Sequence, residues 1–178
     1  MPEDALDLVE RSSEARRNRD HAAATSLAEQ AAEMARASGN ANALGSALAA
    51  LGRLCRDEHR LDAAVDYYEQ AAAIARQEGD ALALAHRLRH IGDVATDQGD
   101  LTRAEQCYEE AGRLFGEQQI GALQRANFLR SKALLREKQG ADAAAAELWS
   151  DARTLYAESG IDAGVEESDR RLQRLRAA

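Results

Sequence analysis

Two histidines and one aspartate stand close together in the segment "HRLRHIGD". His86, His90 and Asp93 occupy positions i, i+4 and i+7, so a helix would place them on one face. Two imidazoles one turn apart with a carboxylate below them could bind zinc or a similar ion. The alternative is a polar face outside the core, because the three residues face away from the apolar stripe of the same segment. No HExxH glutamate and no fourth ligand is visible, so the sequence favours the polar face and predicts no metal or other cofactor.

Other catalytic signatures are missing from the sequence. No glycine-rich loop precedes a lysine, since neither Lys132 nor Lys138 follows a glycine, and no GxSxG stretch occurs. Cys55 and Cys107 form no CxxC pair, and we expect both to pack as small apolar groups. The sequence therefore predicts a protein that is not an enzyme.

The composition excludes several classes of partner. The chain has 178 residues, with 23 Lys plus Arg against 31 Asp plus Glu, and a net charge of −8. A chain this acidic is a poor candidate for nucleic-acid binding, which needs a basic surface. No apolar run is long enough to span a membrane, and the opening "MPEDALDLVE" does not read as a secretory signal. Together with the sparse cysteines, these features predict a cytoplasmic protein.

The sequence repeats itself at an offset of 40 residues. The segment "EHRLDAAVDYYEQAAAIA" at 58–75 aligns with "QGDLTRAEQCYEEAGRLF" at 98–115, and further columns extend the repeat over the whole chain. Good helix formers dominate, β-branched residues are scarce and the single proline is Pro2, so we expect an all-α fold. Small residues at 52 and 92 are expected where two helices cross closely, and large aromatic residues at 68, 108 and 149 are expected to fill the space toward the neighbouring helix pair.

Turn signals recur in register with the repeat. Glycines at 39, 79 and 160 are expected to end helices in the left-handed conformation, and Asp20 and Asp100 are expected to cap the next helices. The pattern predicts four helix pairs and a ninth, unpaired helix, with bounds near 3–17, 20–38, 42–57, 61–78, 81–98, 101–117, 122–138, 142–159 and 162–176.

Two stretches carry a family pattern. "LAALGRLC" at 48–55 leads to Ala64 and Tyr68, and "LRHIGDVA" at 88–95 leads to Ala104 and Tyr108. Both stretches resemble the tetratricopeptide repeat, which has a large residue, Leu-Gly or its equivalent, and then Ala and an aromatic residue at fixed spacing. The period of 40 residues is similar to the long-helix variant of that family, found in signalling adaptors and in sensor arms of large bacterial regulators.

The resemblance implies one domain over residues 1–178. Four repeats near 3–39, 41–79, 81–119 and 121–160 would form an α-solenoid, a right-handed superhelix of antiparallel helix pairs, and helix 162–176 would cap it. The family binds peptide segments in the inner groove that the first helix of each pair lines. The groove residues expected here are the arginines and their polar neighbours, namely Arg53, Arg56, His86, Arg89, Asp93, Asn127 and Arg130.

This arginine-rich face predicts a protein or peptide partner, and an acidic one, because guanidinium groups suit carboxylates and phosphates. The alternative function is self-association, or a sensor arm of a larger regulatory assembly. The apolar Leu6 and Val9 fall on the expected groove face of the first helix, which is compatible with a homodimer.

Overall fold

A computed structural model describes residues 4–177 of the chain. The regular structure of these residues is entirely helical and contains no strand. Its nine helices are α1 (Ala5–Arg17), α2 (His21–Ser38), α3 (Ala41–Asp57), α4 (Leu61–Gln77), α5 (Ala81–Gln98), α6 (Leu101–Gly116), α7 (Ala122–Lys138), α8 (Asp142–Glu158) and α9 (Asp162–Ala177). The predicted all-α fold, with four helix pairs and a final helix, is confirmed.

The helix bounds agree with the sequence prediction to within one residue, apart from the start of the first helix. They agree because the capping residues at the helix ends can be recognised by their type and spacing. The predicted start at residue 3 lies outside the described residues. Asp20 Oδ1 accepts the Ala23 N–H at 3.0 Å, and Asp100 Oδ1 accepts the Arg103 N–H at 3.0 Å, so both predicted N-caps are confirmed. Within residues 4–177, no helix is both long and apolar enough to cross a membrane.

The predicted glycines end their helices in the left-handed conformation. Gly39 has a φ of +67° and Gly79 a φ of +70°, values that side chains with a Cβ rarely adopt. Gly160 follows the same pattern after α8. These positions fix where the chain reverses between successive helices.

The chain divides into two compact units, Met1–Val94 and Ala95–Ala178. In unit 1, α1 packs on α2 and α3 packs on α4, while α1 also lies beside α3. The first helices of successive pairs are therefore neighbours within this unit. The prediction of a single domain over the whole chain stays a prediction.

Alanine forms much of the core of unit 1. Ala24 and Ala28 of α2 are fully buried against Leu51 and Leu54 of α3, and another core cluster surrounds Leu8. Because an alanine side chain is a single methyl group, the helices can approach closely. The repeated alanine columns of the sequence are thus packing positions.

In unit 2, α8 packs between α7 and α9, and α6 also contacts α7. Trp149 of α8 is fully buried, and Leu172 and Leu175 of α9 pack against its cluster. Val165 of α9 packs against the cluster around Tyr156. The final helix therefore covers the apolar side of the last pair, as its sequence predicts.

Candidate functional site

Three of the four arginines expected to line a groove lie in unit 1, on the first helices of their pairs. We call Arg53 and Arg56 of α3 together with Arg89 of α5 the inner arginine cluster. Arg56 Nη1 donates to Asp93 Oδ2 at 3.3 Å, and Arg89 Nη1 donates to the same oxygen at 3.0 Å. A single carboxylate therefore holds two guanidinium groups from neighbouring first helices.

Asp93 is buried, with 5% of its surface exposed. Burial alone would raise the pKa of its carboxyl, but the Arg89 guanidinium, the nearby His90 and the charge of Arg56 together hold the pKa well below its usual range. The carboxylate is therefore charged at neutral pH. The interpretation that Asp93 and His90 lie on a polar face outside the core is wrong, because the neighbouring α3 and α4 cover that side of α5.

His90 lies between the Asp93 carboxylate and the aromatic ring of Tyr68. Its ring stacks on Tyr68, with ring centroids 4.9 Å apart and planes 7° from parallel. Arg89 Nη2 lies 2.9 Å from His90 Nε2. A guanidinium can only donate, so Nε2 accepts and the ring proton sits on Nδ1, which lies 3.6 Å from Asp93 Oδ2. Burial lowers the pKa of His90 to about 3, so the imidazole is neutral at physiological pH.

Arg53 differs from the other two members of the inner arginine cluster. Within residues 4–177 it makes no ion pair with a carboxylate, although it is half-buried. Burial is the main cause that lowers its pKa, and the charges of Arg16 and Arg89 lower it further. Beside it, the fully buried Tyr68 has a hydroxyl without a hydrogen-bond partner among the described residues.

His86 is half-buried near the same cluster. Burial lowers its pKa to about 4, and the charges of Arg89 and Arg87 lower it further. His86, His90 and Asp93 do not form a metal centre: no group of three or more His, Cys, Asp or Glu side chains in the described part of the chain is arranged to hold an ion.

The two remaining expected groove residues lie in unit 2, on α7. Asn127 Oδ1 accepts the hydroxyl proton of Tyr156 at 2.8 Å. Arg130 makes a forked pair with Glu167 of α9, through Nε at 2.7 Å and Nη2 at 2.8 Å. Both side chains are thus held in place by neighbours of the same unit.

The structure brings together Arg53, Arg56, Arg89 and Asp93, and it adds a residue that the sequence reasoning missed. Arg87 of α5 is half-buried, and burial lowers its pKa to about 10. The burial of Arg87 could have been predicted from its position three residues after the buried Leu84, because this spacing places Arg87 beside the apolar face of α5.

The comparison with known proteins agrees with this repeat architecture. Residues 46–117 match the tetratricopeptide repeat family. No curated protein matches the sequence.

Two solved structures are similar over nearly the whole chain. One is a putative kinesin light chain of Podosopora anserina with nearly identical TPR-like repeats, at 14% identity and a TM-score of 0.69, covering 99% of this chain and 96% of that one. The other is BtubC (BKLC) from P. vanneervenii, at 18% identity and a TM-score of 0.65, covering 97% of this chain and 79% of that one. At such identities, the likeness shows the helical-repeat fold alone.

Proposed function

We propose that this chain, whose residues 46–117 are tetratricopeptide repeats, is a non-catalytic protein-interaction module that binds an acidic peptide segment along its first helices. Tetratricopeptide repeats mediate protein–protein interaction, and helical-repeat proteins bind partners on extended surfaces. The finer proposal concerns the chemistry of the partner.

The observation that carries the proposal is the unpaired charge of Arg53. Two of the three guanidinium groups in the inner arginine cluster pair with the single carboxylate of Asp93, whereas Arg53 has no carboxylate partner among the described residues. A half-buried cation without a partner is unfavourable, and a carboxylate or phosphate of a partner would remove that penalty.

The proposal of a non-catalytic role is supported by the pKa values of the two histidines. Those of His90 and His86, about 3 and about 4, are far from neutrality. A general acid or base works best with a pKa near the operating pH. A cytoplasmic location remains part of the proposal, supported by Cys55 and Cys107, which are not joined in a disulfide.

The test is a selection from a displayed random peptide library, followed by fluorescence anisotropy with the selected peptides. We expect acidic peptides to be enriched and their binding to weaken as salt rises, because screening acts over about 10 Å at 0.1 M salt. Arg53→Gln should weaken binding about tenfold or more. Arg36→Gln, which removes a charge from the second helix α2, is the matched control and should bind as the wild type does.

The proposal would be refuted if the selected peptides carried no acidic residues. It would also be refuted if their affinity changed neither with the salt concentration nor with Arg53→Gln. A substitution of Arg89 is unsuitable as a test. Replacing Arg89 would leave the buried Asp93 with less compensation, so a loss of binding would be confounded with a loss of folding.

A second candidate function is self-association through α1. Leu6 is 42% exposed, although its neighbour Leu8 is buried in the core. Light scattering coupled to size-exclusion chromatography tests this candidate. A dimer that Leu6→Glu converts to a monomer would support it, and a monomeric wild type would exclude it.

A further inference from the structure

A pocket of about 230 Å³ opens in unit 1 where three helix ends meet. The start of α3, the end of α4 and the start of α5 surround it. Its lining residues are Ala41, Asn42, Gly45, Ala71, Ile74, Ala75, Glu78, Asp80, Ala83 and Arg87. The volume is below the roughly 300–1,000 Å³ typical of pockets for drug-sized molecules, so a ligand of about ten heavy atoms is the appropriate size.

The floor of the pocket is apolar and made of small groups. Gly45 leaves the floor open, since a Cβ added there would lie 3.6 Å from Ile74 Cγ2 and 3.9 Å from the Ala71 carbonyl oxygen. Alanines from all three helices complete this surface. A branched aliphatic group fits such a floor better than a polar or charged one.

The rim of the pocket carries charges of both signs that do not pair with each other. Arg87 has a buried Nε without a hydrogen-bond partner. Asp80 lies near enough to raise the pKa of Arg87 by its charge, yet no ion pair joins them, and its Oδ1 accepts the Ala83 N–H at 2.8 Å instead. Glu78 is exposed and has no ion-pair partner among residues 4–177.

We propose that this pocket binds a small zwitterion, a free α-amino acid with a branched aliphatic side chain. The carboxylate of the ligand would accept from Arg87, its ammonium group would lie against Glu78 and Asp80, and its side chain would occupy the floor at Gly45. A purely apolar ligand would leave the rim charges unmatched, and a simple anion would not use the two acids. This site is independent of the peptide proposal, which rests on Arg53.

Isothermal titration calorimetry with leucine tests the proposal, with three probes that separate its parts. Isocaproate lacks the ammonium group, isopentylamine lacks the carboxylate, and N-acetyl-leucinamide carries neither charge. We expect leucine to bind and each probe to bind about tenfold more weakly or worse, as for the loss of a charged hydrogen-bonding group. Equal binding of N-acetyl-leucinamide would show that the pocket takes a peptide side chain and would overturn the proposal.

Two variants locate the site. Arg87→Gln should weaken leucine binding about tenfold or more, because the carboxylate loses its charged donor. Gly45→Ala adds one methyl group to the floor at an ordinary contact distance, so the protein should melt no lower than the wild type while its leucine affinity falls. Arg36→Gln on α2 is the control and should bind leucine normally. If millimolar leucine gives no heat, or if neither Arg87→Gln nor Gly45→Ala changes its affinity, the proposal is wrong.

Discussion

A Cβ atom added to Gly52 of α3 would lie 2.9 Å from Cε1 of Tyr68 in α4. The ring of Tyr68 is fully buried and stacks on His90, so it has no free direction in which to move. Position 52 therefore has room for a small residue only, as expected, but its nearest neighbours are atoms of the Tyr68 ring in the same helix pair and not the backbone of a crossing helix.

This contact predicts opposite effects for two glycine substitutions in one helix. Gly52→Ala should lower the free energy of unfolding by about 1–2 kcal/mol, because overpacking against Tyr68 outweighs the gain in helix propensity. Gly45→Ala should raise the free energy of unfolding by up to about 1 kcal/mol, because alanine favours the helix more than glycine does. Its added methyl group lies 3.6 Å from Ile74, which is an ordinary contact distance. Urea unfolding measures both, and a stabilised Gly52→Ala variant would contradict the close packing.

The shared carboxylate of Asp93 predicts a large loss of stability on neutralisation. Asp93→Asn leaves Arg56 and Arg89 without their anion in a buried setting, and we expect a loss of about 3 kcal/mol in the free energy of unfolding. Glu167→Gln removes the partner of Arg130 at a more exposed site and should cost about 0.5–1 kcal/mol. Equal losses in urea unfolding would show that the burial of Asp93 does not matter.

The buried histidines predict a loss of stability in acid. His90 titrates at about 3 and His86 at about 4 in the folded protein, against an ordinary pKa of 6.5. At a pH between the folded and the ordinary pKa values, the unfolded chain binds more protons than the folded one. The free energy of unfolding therefore has its full value above about pH 6.5 and decreases as the pH falls towards 3. The slope approaches about 1.4 kcal/mol per pH unit for each group.

Urea unfolding at several pH values checks this dependence. The slope should diminish in His90→Gln and diminish further in the double variant His86→Gln/His90→Gln. A slope that both variants share with the wild type would assign the acid sensitivity to other groups.

The pair between Arg130 and Glu167 predicts a gain in peptide affinity. If Arg130 also contacts the acidic partner, then Glu167 competes for the same guanidinium. Glu167→Gln should then strengthen binding of a selected acidic peptide about threefold or more, measured by anisotropy. Unchanged affinity would remove Arg130 from the binding surface while leaving the role of Arg53 intact.

The helices and caps could be predicted from the sequence because their determinants are local. Asp20, Gly39 and Asp100 act within one turn of their own positions, so spacing alone identifies them. The repeat columns likewise indicate which residues pack, since one face of each helix must be buried.

The state of the charged residues could not be predicted in the same way. Asp93 is buried beneath neighbouring helices, and Arg56 reaches it from one of them, 37 residues earlier in the sequence. Whether an arginine meets a carboxylate or remains unpaired, as Arg53 does, depends on the axial offset between two neighbouring helices. A helical pattern in one segment carries no information about that offset.

The ion pairs between first helices have a consequence for how the chain folds. Arg56 with Asp93 and Arg130 with Glu167 each join residues 37 positions apart, and Arg16 with Asp57 joins residues 41 apart. Each of these pairs closes a loop of similar length, so the entropic cost of closing it does not grow with the number of repeats in the chain. Each helix pair can dock as soon as the next pair has left the ribosome, without waiting for the end of the chain.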